Sequence, residues 1–66
     1  MFEWVYLDSD GSELGRSHRF ADQAGAEAWM AEAWSGLRER GVEGVALIAA
    51  ESGRSVYRMS LDQEPA

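Results

Sequence analysis

Strand-like alternation occupies both ends of the chain, and a helical spacing of apolar residues occupies the middle. The segment Phe2–Leu7 is rich in aromatic and branched residues, which favours a strand, and residues 13–20 continue as a weaker one. Residues 42–50 and 54–61 form a second pair of strand-like segments. Short clusters of turn-forming residues separate the members of each pair. The pattern predicts a β-hairpin at each end of the chain.

Between the hairpins, residues 24–40 are mostly good helix formers. Asp22 is placed to cap the helix start, and Gly41 to end it in a left-handed conformation that lets Val42 contact Leu37. Spacings of three and four residues predict one apolar stripe, made of Ala26, Trp29, Met30, Ala33, Trp34 and Leu37. We therefore predict an α+β fold of order β-β-α-β-β, with a four-stranded, mainly antiparallel sheet and the helix packed on one face.

Both predicted loops carry glycine at their third position, Gly11 and Gly53. A three-residue loop of this kind combines a type I turn with a left-handed glycine in a bulge. Loop length sets the register, and a slip of one residue would exchange the two faces of a strand. The predicted pairs are Asp8–Ser12, Tyr6–Leu14, Trp4–Arg16, Ala50–Arg54, Leu47–Tyr57 and Val45–Met59.

This register sorts the strand residues onto two faces, because side chains alternate along a strand. The predicted helix-covered face holds Phe2, Trp4, Tyr6, Leu14, Phe20, Val45, Leu47, Tyr57, Met59 and Leu61. The predicted outer face holds Glu3, Val5, Leu7, Gly15, Ser17, Arg19, Ala46, Ile48, Val56, Arg58 and Ser60. One helix cannot cover both faces, so apolar side chains are expected to stay exposed inside a charged rim, as in partner surfaces. The candidate interface consists of Val5, Leu7, Ile48, Val56 and Arg58.

With 66 residues the chain makes one domain, residues 1–66, whose last residues, 61–66, are predicted to form a frayed tail. Domains of this size usually need extra stabilisation from disulfides, a metal or oligomerisation. Cysteine is absent and His18 is the only histidine, so no disulfide and no metal site are expected. The remaining source of extra stability is association, so we expect either a homo-oligomer (a dimer) or a complex with another protein.

The net charge of −6 argues against nucleic-acid binding, which needs clustered basic residues. No basic segment followed by an apolar one precedes Phe2, so no secretory signal is predicted. The longest fully apolar run, residues 45–50, is too short to cross a membrane. These observations favour a cytoplasmic protein that binds neither membranes nor nucleic acids.

Candidate chemistry in the sequence is sparse. Residues 8–13 resemble a calcium loop only superficially, because glycine comes too early and Arg19 stands where a glutamate is needed. A general base at His18 would need a partner and a substrate pocket, and no thiol or phosphate-binding motif accompanies it. No catalytic residue, no cofactor and no enzymatic activity are therefore predicted. Trp34, at the margin of the helix stripe, is the aromatic residue we expect to be partly exposed.

Residues 26–34, running on to residues 41–47, resemble a group of small acidic proteins from high-GC actinobacteria. The opening residues 2–8 and the closing residues 56–61 fit the same resemblance. It implies a bacterial, cytoplasmic origin and assigns no functional residue.

Three functions remain open at the level of sequence. The leading hypothesis is a non-enzymatic interaction module that self-associates or docks a partner protein through the outer sheet face. One alternative is a small-ligand-binding domain that uses Trp34 and the helix margin. Another is an acidic regulator that occupies a basic nucleic-acid-binding surface of a second protein.

Overall fold

A computed structural model describes residues 1–61 of the protein. The predicted order of hairpin, helix and hairpin is confirmed. The elements are β1 Phe2–Leu7, β2 Glu13–Arg16, α1 Gln23–Glu39, β3 Gly44–Ala49 and β4 Arg54–Ser60. All strand pairs are antiparallel in one sheet of order β2-β1-β3-β4, so β1 and β3 join the two hairpins at the centre. Of the predicted frayed tail, residues 61–66, Leu61 is buried in the main core, so the prediction is wrong there, and residues 62–66 lie outside the described residues.

Both predicted ends of α1 are confirmed. The Asp22 side chain accepts a hydrogen bond from the Gly25 N–H at 2.7 Å, which satisfies one of the free donors of the first turn. At the other end Gly41 has φ +93°, and the Val42 N–H donates to the Leu37 carbonyl at 3.1 Å. Leu37 and Val42 are both buried in the main core. Helix length is thus set by local signals in the sequence.

The main core lies between α1 and the sheet. Trp4 is fully buried, and its indole N–H donates to the Ala26 carbonyl at 2.9 Å, which joins β1 to the start of the helix. Met30 and Leu47 are also buried, each worth about 1.5–3 kcal/mol relative to exposure. The buried members of this core are Trp4, Ala26, Met30, Leu37, Val42, Val45, Leu47 and Leu61.

The first hairpin has the predicted three-residue loop. The Asp8 N–H donates to the Ser12 carbonyl at 3.0 Å, and the Gly11 N–H donates to the Asp8 carbonyl at 3.0 Å. Gly11 has φ +83°, a conformation that favours glycine. The Asp8 carboxylate also accepts the N–H groups of Asp10 and Ser12, both at 2.9 Å, so this side chain holds the turn from within.

Beyond the turn, a β-bulge changes the register between β1 and β2. Leu7 lies opposite Glu13, but Tyr6 lies opposite Gly15, which leaves Leu14 as the extra residue. The predicted pair Tyr6–Leu14 is therefore wrong. Leu14, predicted to lie in the core, is 53% exposed.

The same bulge moves the rest of β2 to the opposite face from the one predicted. Arg16 lies opposite Val5 rather than Trp4, so it belongs to the outer face. Gly15, predicted on the outer face, lies beside the Tyr6 ring, with 3.5 Å between Tyr6 Cδ2 and the position a Cβ would take. The physical reason is the period of two in a strand: one inserted residue exchanges the faces of the residues that follow it within that strand.

The second hairpin has a longer loop than predicted. The Gly53 N–H donates to the Ala49 carbonyl at 2.8 Å, and Ala49 lies opposite Arg54. Four residues, 50–53, therefore make the connection, and the predicted pair Ala50–Arg54 is wrong. Gly53 still provides the left-handed residue, with φ +70°.

A bulge in β4 compensates for the extra loop residue. Ile48 lies opposite Ser55 and Leu47 lies opposite Tyr57, so Val56 is the extra residue. Both bulges therefore lie in the edge strands, where such irregularities hinder pairing with another chain. The two predicted pairs beyond the second bulge are confirmed: Leu47 with Tyr57 and Val45 with Met59.

Candidate interaction surface on the outer sheet face

The outer face is the side of the sheet turned away from α1. One row across it runs from Arg16 through Val5 and Ala46 to Arg58, each directly opposite its neighbour. Val5 is 5% exposed and Ala46 is 6% exposed. With Leu7 they form a second buried cluster, separate from the core under the helix. The residues at the centre of the outer face are therefore buried, although α1 does not cover them.

The five residues of the candidate interface have different exposures. Val5 and Leu7, expected to be exposed, are buried, and that expectation is wrong. Ile48 is half-buried against them. Val56 is 42% exposed and Arg58 is exposed, as expected. Their role as an interface stays a prediction.

A long arginine side chain extends across the outer face from β4. Arg58 lies opposite Ala46 in the sheet, yet its Nη2 atom lies 3.6 Å from the position a Cβ on Gly11 would take, in the turn between β1 and β2. The side chain therefore passes over β3 towards the first hairpin. Arginine commonly covers apolar surface in this way, with its stem on the protein and its charged end in water.

From the other edge, Arg16 is held over the face by two glutamates. Its Nη1 donates to Glu3 Oε1 at 2.8 Å and its Nε to Glu13 Oε2 at 2.9 Å. The hydrogen bonds that Arg16 donates to Glu13 first, and then to Glu3, raise the pKa of Arg16, and the bond accepted from Arg16 lowers the pKa of Glu13. Glu3 is only 9% exposed, and the Arg19 Nε lies 3.8 Å from its second oxygen. The buried carboxylate is thus compensated by two guanidinium groups.

Charge is divided unequally between this face and the rest of the chain. Apart from Asp8 and Glu43 at its end, the outer face carries three arginines, Arg16, Arg19 and Arg58, against Glu3 and Glu13, a net charge of +1. Because the whole chain carries −6, the remainder carries −7. Among residues 1–61, Arg58 makes no ion pair. Within the described part of the chain, the face therefore offers a positive charge without an ion pair, on a protein whose net charge is negative.

An open depression of about 400 Å³ lies at one end of this face. It forms where the first turn, the start of β3 and the end of β4 meet. Gly44 has no side chain to fill it, and a Cβ there would lie 3.2 Å from the Met59 carbonyl oxygen. The lining residues are Leu7, Asp8, Ser9, Gly11, Glu43, Gly44, Arg58, Met59 and Ser60.

The aromatic candidates lie elsewhere. The His18 ring is 4.3 Å from Phe20 and 5.5 Å from Trp29 between centroids, so its neighbours are aromatic rings. Trp34 is half-buried and packs against the main core, in agreement with its predicted partial exposure. None of these four residues lines the depression. The structure therefore does not bring His18 and Trp34 together with the candidate interface.

Within residues 1–61, no group of three or more histidine, cysteine, aspartate or glutamate side chains is arranged to hold a metal ion. In the same part of the chain, no helix is both long and apolar enough to cross a membrane.

Reasoning from sequence missed Arg16, Glu43 and Gly44 as residues of this surface. Arg16 was missed because a bulge moves it to the outer face. Gly44 did carry a signal, since glycine inside a strand often marks a close approach of two backbones. Glu43 carried none, because its position at the depression depends on where β4 ends.

Comparison of the chain with protein-family models, with curated proteins and with solved structures found no match. The resemblance to small actinobacterial acidic proteins stays a prediction.

Proposed function

We propose that this protein is a non-enzymatic interaction module that docks an acidic surface of a partner protein onto its outer sheet face. The supporting observation is the division of charge: the outer face apart from its end at Asp8 and Glu43 carries +1, and the remainder of the chain carries −7. A surface whose charge opposes that of its own protein selects a partner by electrostatic complementarity. A symmetric dimer would bring two positive faces together, so charge favours a different protein over a second copy.

The contact would centre on the β4 side of the face. Val56 is 42% exposed and Ile48 is half-buried, which leaves apolar surface beside the unpaired Arg58. Arginine is over-represented among the residues that dominate binding energy, especially where a partner carboxylate becomes desolvated around it. Val5 and Leu7 would lie beneath this contact and shape it.

Two further observations support a non-enzymatic role and a cytoplasmic location. The exposed His18 ring contacts Phe20 and Trp29, and among residues 1–61 its ring makes no hydrogen bond to a carboxylate or hydroxyl that would make it a catalytic base, which supports a non-enzymatic role. The absence of cysteine in so small a domain supports a cytoplasmic location, because small secreted domains are usually rich in disulfides.

The test is affinity capture from extracts of the source cells with four immobilised baits: the parent protein, Val56→Glu, Arg58→Glu and Arg54→Glu. Arg54 is the matched control, an exposed arginine of the same strand that also makes no ion pair within residues 1–61. We expect an acidic protein to be retained by the parent and by Arg54→Glu, and to be lost with the other two baits. Equal retention on all four baits would contradict the proposal.

The same capture separates the alternatives. An acidic regulator would retain basic proteins in a salt-sensitive manner, and Arg58→Glu would strengthen that retention rather than abolish it. Self-association would appear as a mass that rises with concentration in light scattering, and Val56→Glu would remove it. A ligand at Trp34 would change the tryptophan fluorescence of the parent but not of Trp34→Phe.

A further inference from the structure

The two hairpins repeat one another around the centre of the sheet. Three pairs of the first hairpin correspond in order to three pairs of the second: Val5–Arg16, Tyr6–Gly15 and Leu7–Glu13 to Ala46–Arg58, Leu47–Tyr57 and Ile48–Ser55. A bulge residue, Leu14 or Val56, separates the last two pairs in each hairpin. Because Val5 and Ala46 face each other in antiparallel strands, a pseudo-two-fold axis perpendicular to the sheet passes between them.

The first hairpin shows how an arginine at this position binds carboxylates. Arg16 Nη1 donates to Glu3 Oε1 at 2.8 Å, and Glu3 lies two residues before Val5 on the same face of β1. A second hydrogen bond, of 2.9 Å, joins Arg16 Nε to Glu13 on β2. Two glutamates of the same hairpin therefore hold Arg16.

The second hairpin lacks both of these carboxylates. Gly44 lies two residues before Ala46 and corresponds to Glu3, and Ser55 corresponds to Glu13. Among residues 1–61, Arg58 makes no ion pair. Gly44 and Arg58 both line the depression of about 400 Å³, and Arg58 Nη2 lies at its end beside Gly11. The depression thus occupies the position that a glutamate corresponding to Glu3 would fill.

The two acidic residues of the lining do not supply the missing charge to Arg58. Asp8 Oδ1 accepts the N–H groups of Asp10 and Ser12, both at 2.9 Å, so its charge is stabilised within the turn. Glu43 continues the strand pairing, because its carbonyl accepts the Leu61 N–H at 3.0 Å. Its side chain therefore alternates to the helix-covered side, opposite to the face that Gly44 occupies.

We propose that the partner inserts one glutamate or aspartate side chain into this depression, over Gly44, where its carboxylate pairs with Arg58 as Glu3 pairs with Arg16. A guanidinium–carboxylate pair of this kind is a charge-assisted hydrogen bond, which is stronger than a neutral one. Leu7, which is 9% exposed, supplies an apolar wall beside the pair. Under the proposed docking function, on which this assignment rests, one acidic side chain is the anchor of the partner.

The first experiment supplies the missing carboxylate within the chain. In Gly44→Glu the new side chain takes the position that corresponds to Glu3 and should pair with Arg58. We expect the Arg58 Nε–H resonance of the ¹⁵N-labelled variant to shift and to exchange with water about tenfold more slowly than in the parent. Arg16 is the internal reference, because its Nε already donates to Glu13.

Two controls separate charge from strain at this position. Gly44→Gln has nearly the same shape without the charge, so it should leave the exchange of Arg58 Nε–H within about twofold of the parent. Gly44→Ala tests whether the strand accepts a Cβ, which would lie 3.2 Å from the Met59 carbonyl oxygen. The Trp4 indole N–H resonance, which reports the hydrogen bond to Ala26, verifies that each variant is folded.

The second experiment uses an external carboxylate and does not depend on a substitution at Gly44. The labelled parent is titrated with the tripeptide acetyl-Val-Glu-Val-amide, and with the same peptide carrying Gln in place of Glu. We expect saturable shifts of the Gly11 and Gly44 amides with a dissociation constant of about 10 mM or lower for the Glu peptide. The Gln peptide should bind about tenfold more weakly or worse.

Variants assign this binding to the depression. Arg58→Gln should weaken binding of the Glu peptide about tenfold or more, and so should Gly44→Glu, which fills the position from within. Arg54→Gln is the matched control, an arginine of the same strand outside the depression, and should bind like the parent. Equal binding of the two peptides, or parent-like binding by Arg58→Gln, would overturn the proposal.

Capture with a Gly44→Glu bait distinguishes this proposal from the docking function. We expect that bait to lose the acidic partner, as Arg58→Glu does. Retention by folded Gly44→Glu together with loss by Arg58→Glu would leave docking intact and refute insertion over Gly44. Saturable binding of the Glu peptide, together with equal retention on every bait, would support the carboxylate site and refute the docking function alone.

Discussion

The two faces of the sheet are both buried at their centres, but by different means. On one face, α1 places Ala26 and Met30 over Trp4, so apolar groups cover apolar groups. On the other face, arginines from the two edge strands cover Val5 and Ala46, and their charged ends stay in water. The helix-covered face is thus buried by a whole secondary-structure element, whereas the outer face is covered by individual arginine side chains.

This difference bears on the proposed docking of a partner, because the two covers differ in how easily they are displaced. Displacing α1 would expose the whole main core. Moving the Arg58 side chain away from the sheet costs little free energy, because Arg58 makes no ion pair among residues 1–61. An exposed ion pair, had there been one, would add only about 0–1 kcal/mol. Under the docking proposal, the outer face is therefore the one expected to exchange its cover for a partner without unfolding.

The largest effect is expected on the helix-covered face. Replacement of Trp4 by alanine removes the largest fully buried side chain together with its hydrogen bond to Ala26, at a cost of about 3–5 kcal/mol. Such a loss consumes most of the stability of a domain this small, so urea titration should show a chain that is largely unfolded. Trp34→Ala is the control, since Trp34 is only half-buried. An equal cost for both would contradict the assignment of Trp4 as the centre of the core.

A pair of leucines tests whether the outer cluster is a true core. Leu7 is 9% exposed, and Leu14, the bulge residue beside it on β2, is 53% exposed. Leu7→Ala should lower the free energy of unfolding by about 2 kcal/mol, the lower end for a buried leucine. Leu14→Ala should change it by less than about 0.5 kcal/mol. Equal effects in urea titration would show that the arginine cover does not exclude water.

Arg58 tests the nature of that cover. Arg58→Ala removes the stem over Ala46 and should lower the free energy of unfolding by about 0.5–1 kcal/mol. Arg58→Met keeps the apolar stem and removes only an unpaired charge, so it should stay within about 0.3 kcal/mol of the parent. Denaturant titration of both variants at low and high salt measures this. A loss with Met as large as with Ala would show that charge, not apolar cover, is the contribution of Arg58.

The smallest effect appears at alkaline pH and reports on the helix-covered face alone. The only two tyrosines, Tyr6 and Tyr57, are both on that face. Burial, and then a hydrogen bond from the Tyr57 hydroxyl to Glu27 at 3.0 Å, raise the pKa of Tyr57 from 10.0 to about 12. Burial also raises the pKa of Tyr6, although the Arg40 charge opposes this.

A phenol whose pKa is raised on folding stabilises the protein fully below pH 10 and loses that contribution as pH rises towards 12. We therefore expect urea midpoints to fall across this window, less steeply in Tyr57→Phe, and least in the variant with both tyrosines replaced by phenylalanine. The effect is modest because Tyr57 is partly exposed. An unchanged slope in Tyr57→Phe would contradict the role assigned to its hydroxyl.

The sequence by itself determined the order of elements, both helix ends, the three-residue first turn and the split of most core residues from surface residues. Each of these depends on signals within a few residues: the Asp22 cap, the left-handed Gly41, the Gly11 turn and the helical apolar stripe. Such signals act through local backbone geometry, which neighbouring residues specify without help from distant parts of the chain.

Only the tertiary structure decided the composition of the outer face. The bulges at Leu14 and Val56 depend on how each edge strand pairs with its neighbour. Neither leucine nor valine is a residue type that indicates a bulge in the sequence. The burial of Val5 depends in turn on side chains that come from other strands, because the bulge moves Arg16 to the outer face. Exposure is a property of the assembled sheet, and a single strand's pattern cannot specify what its neighbours place over it.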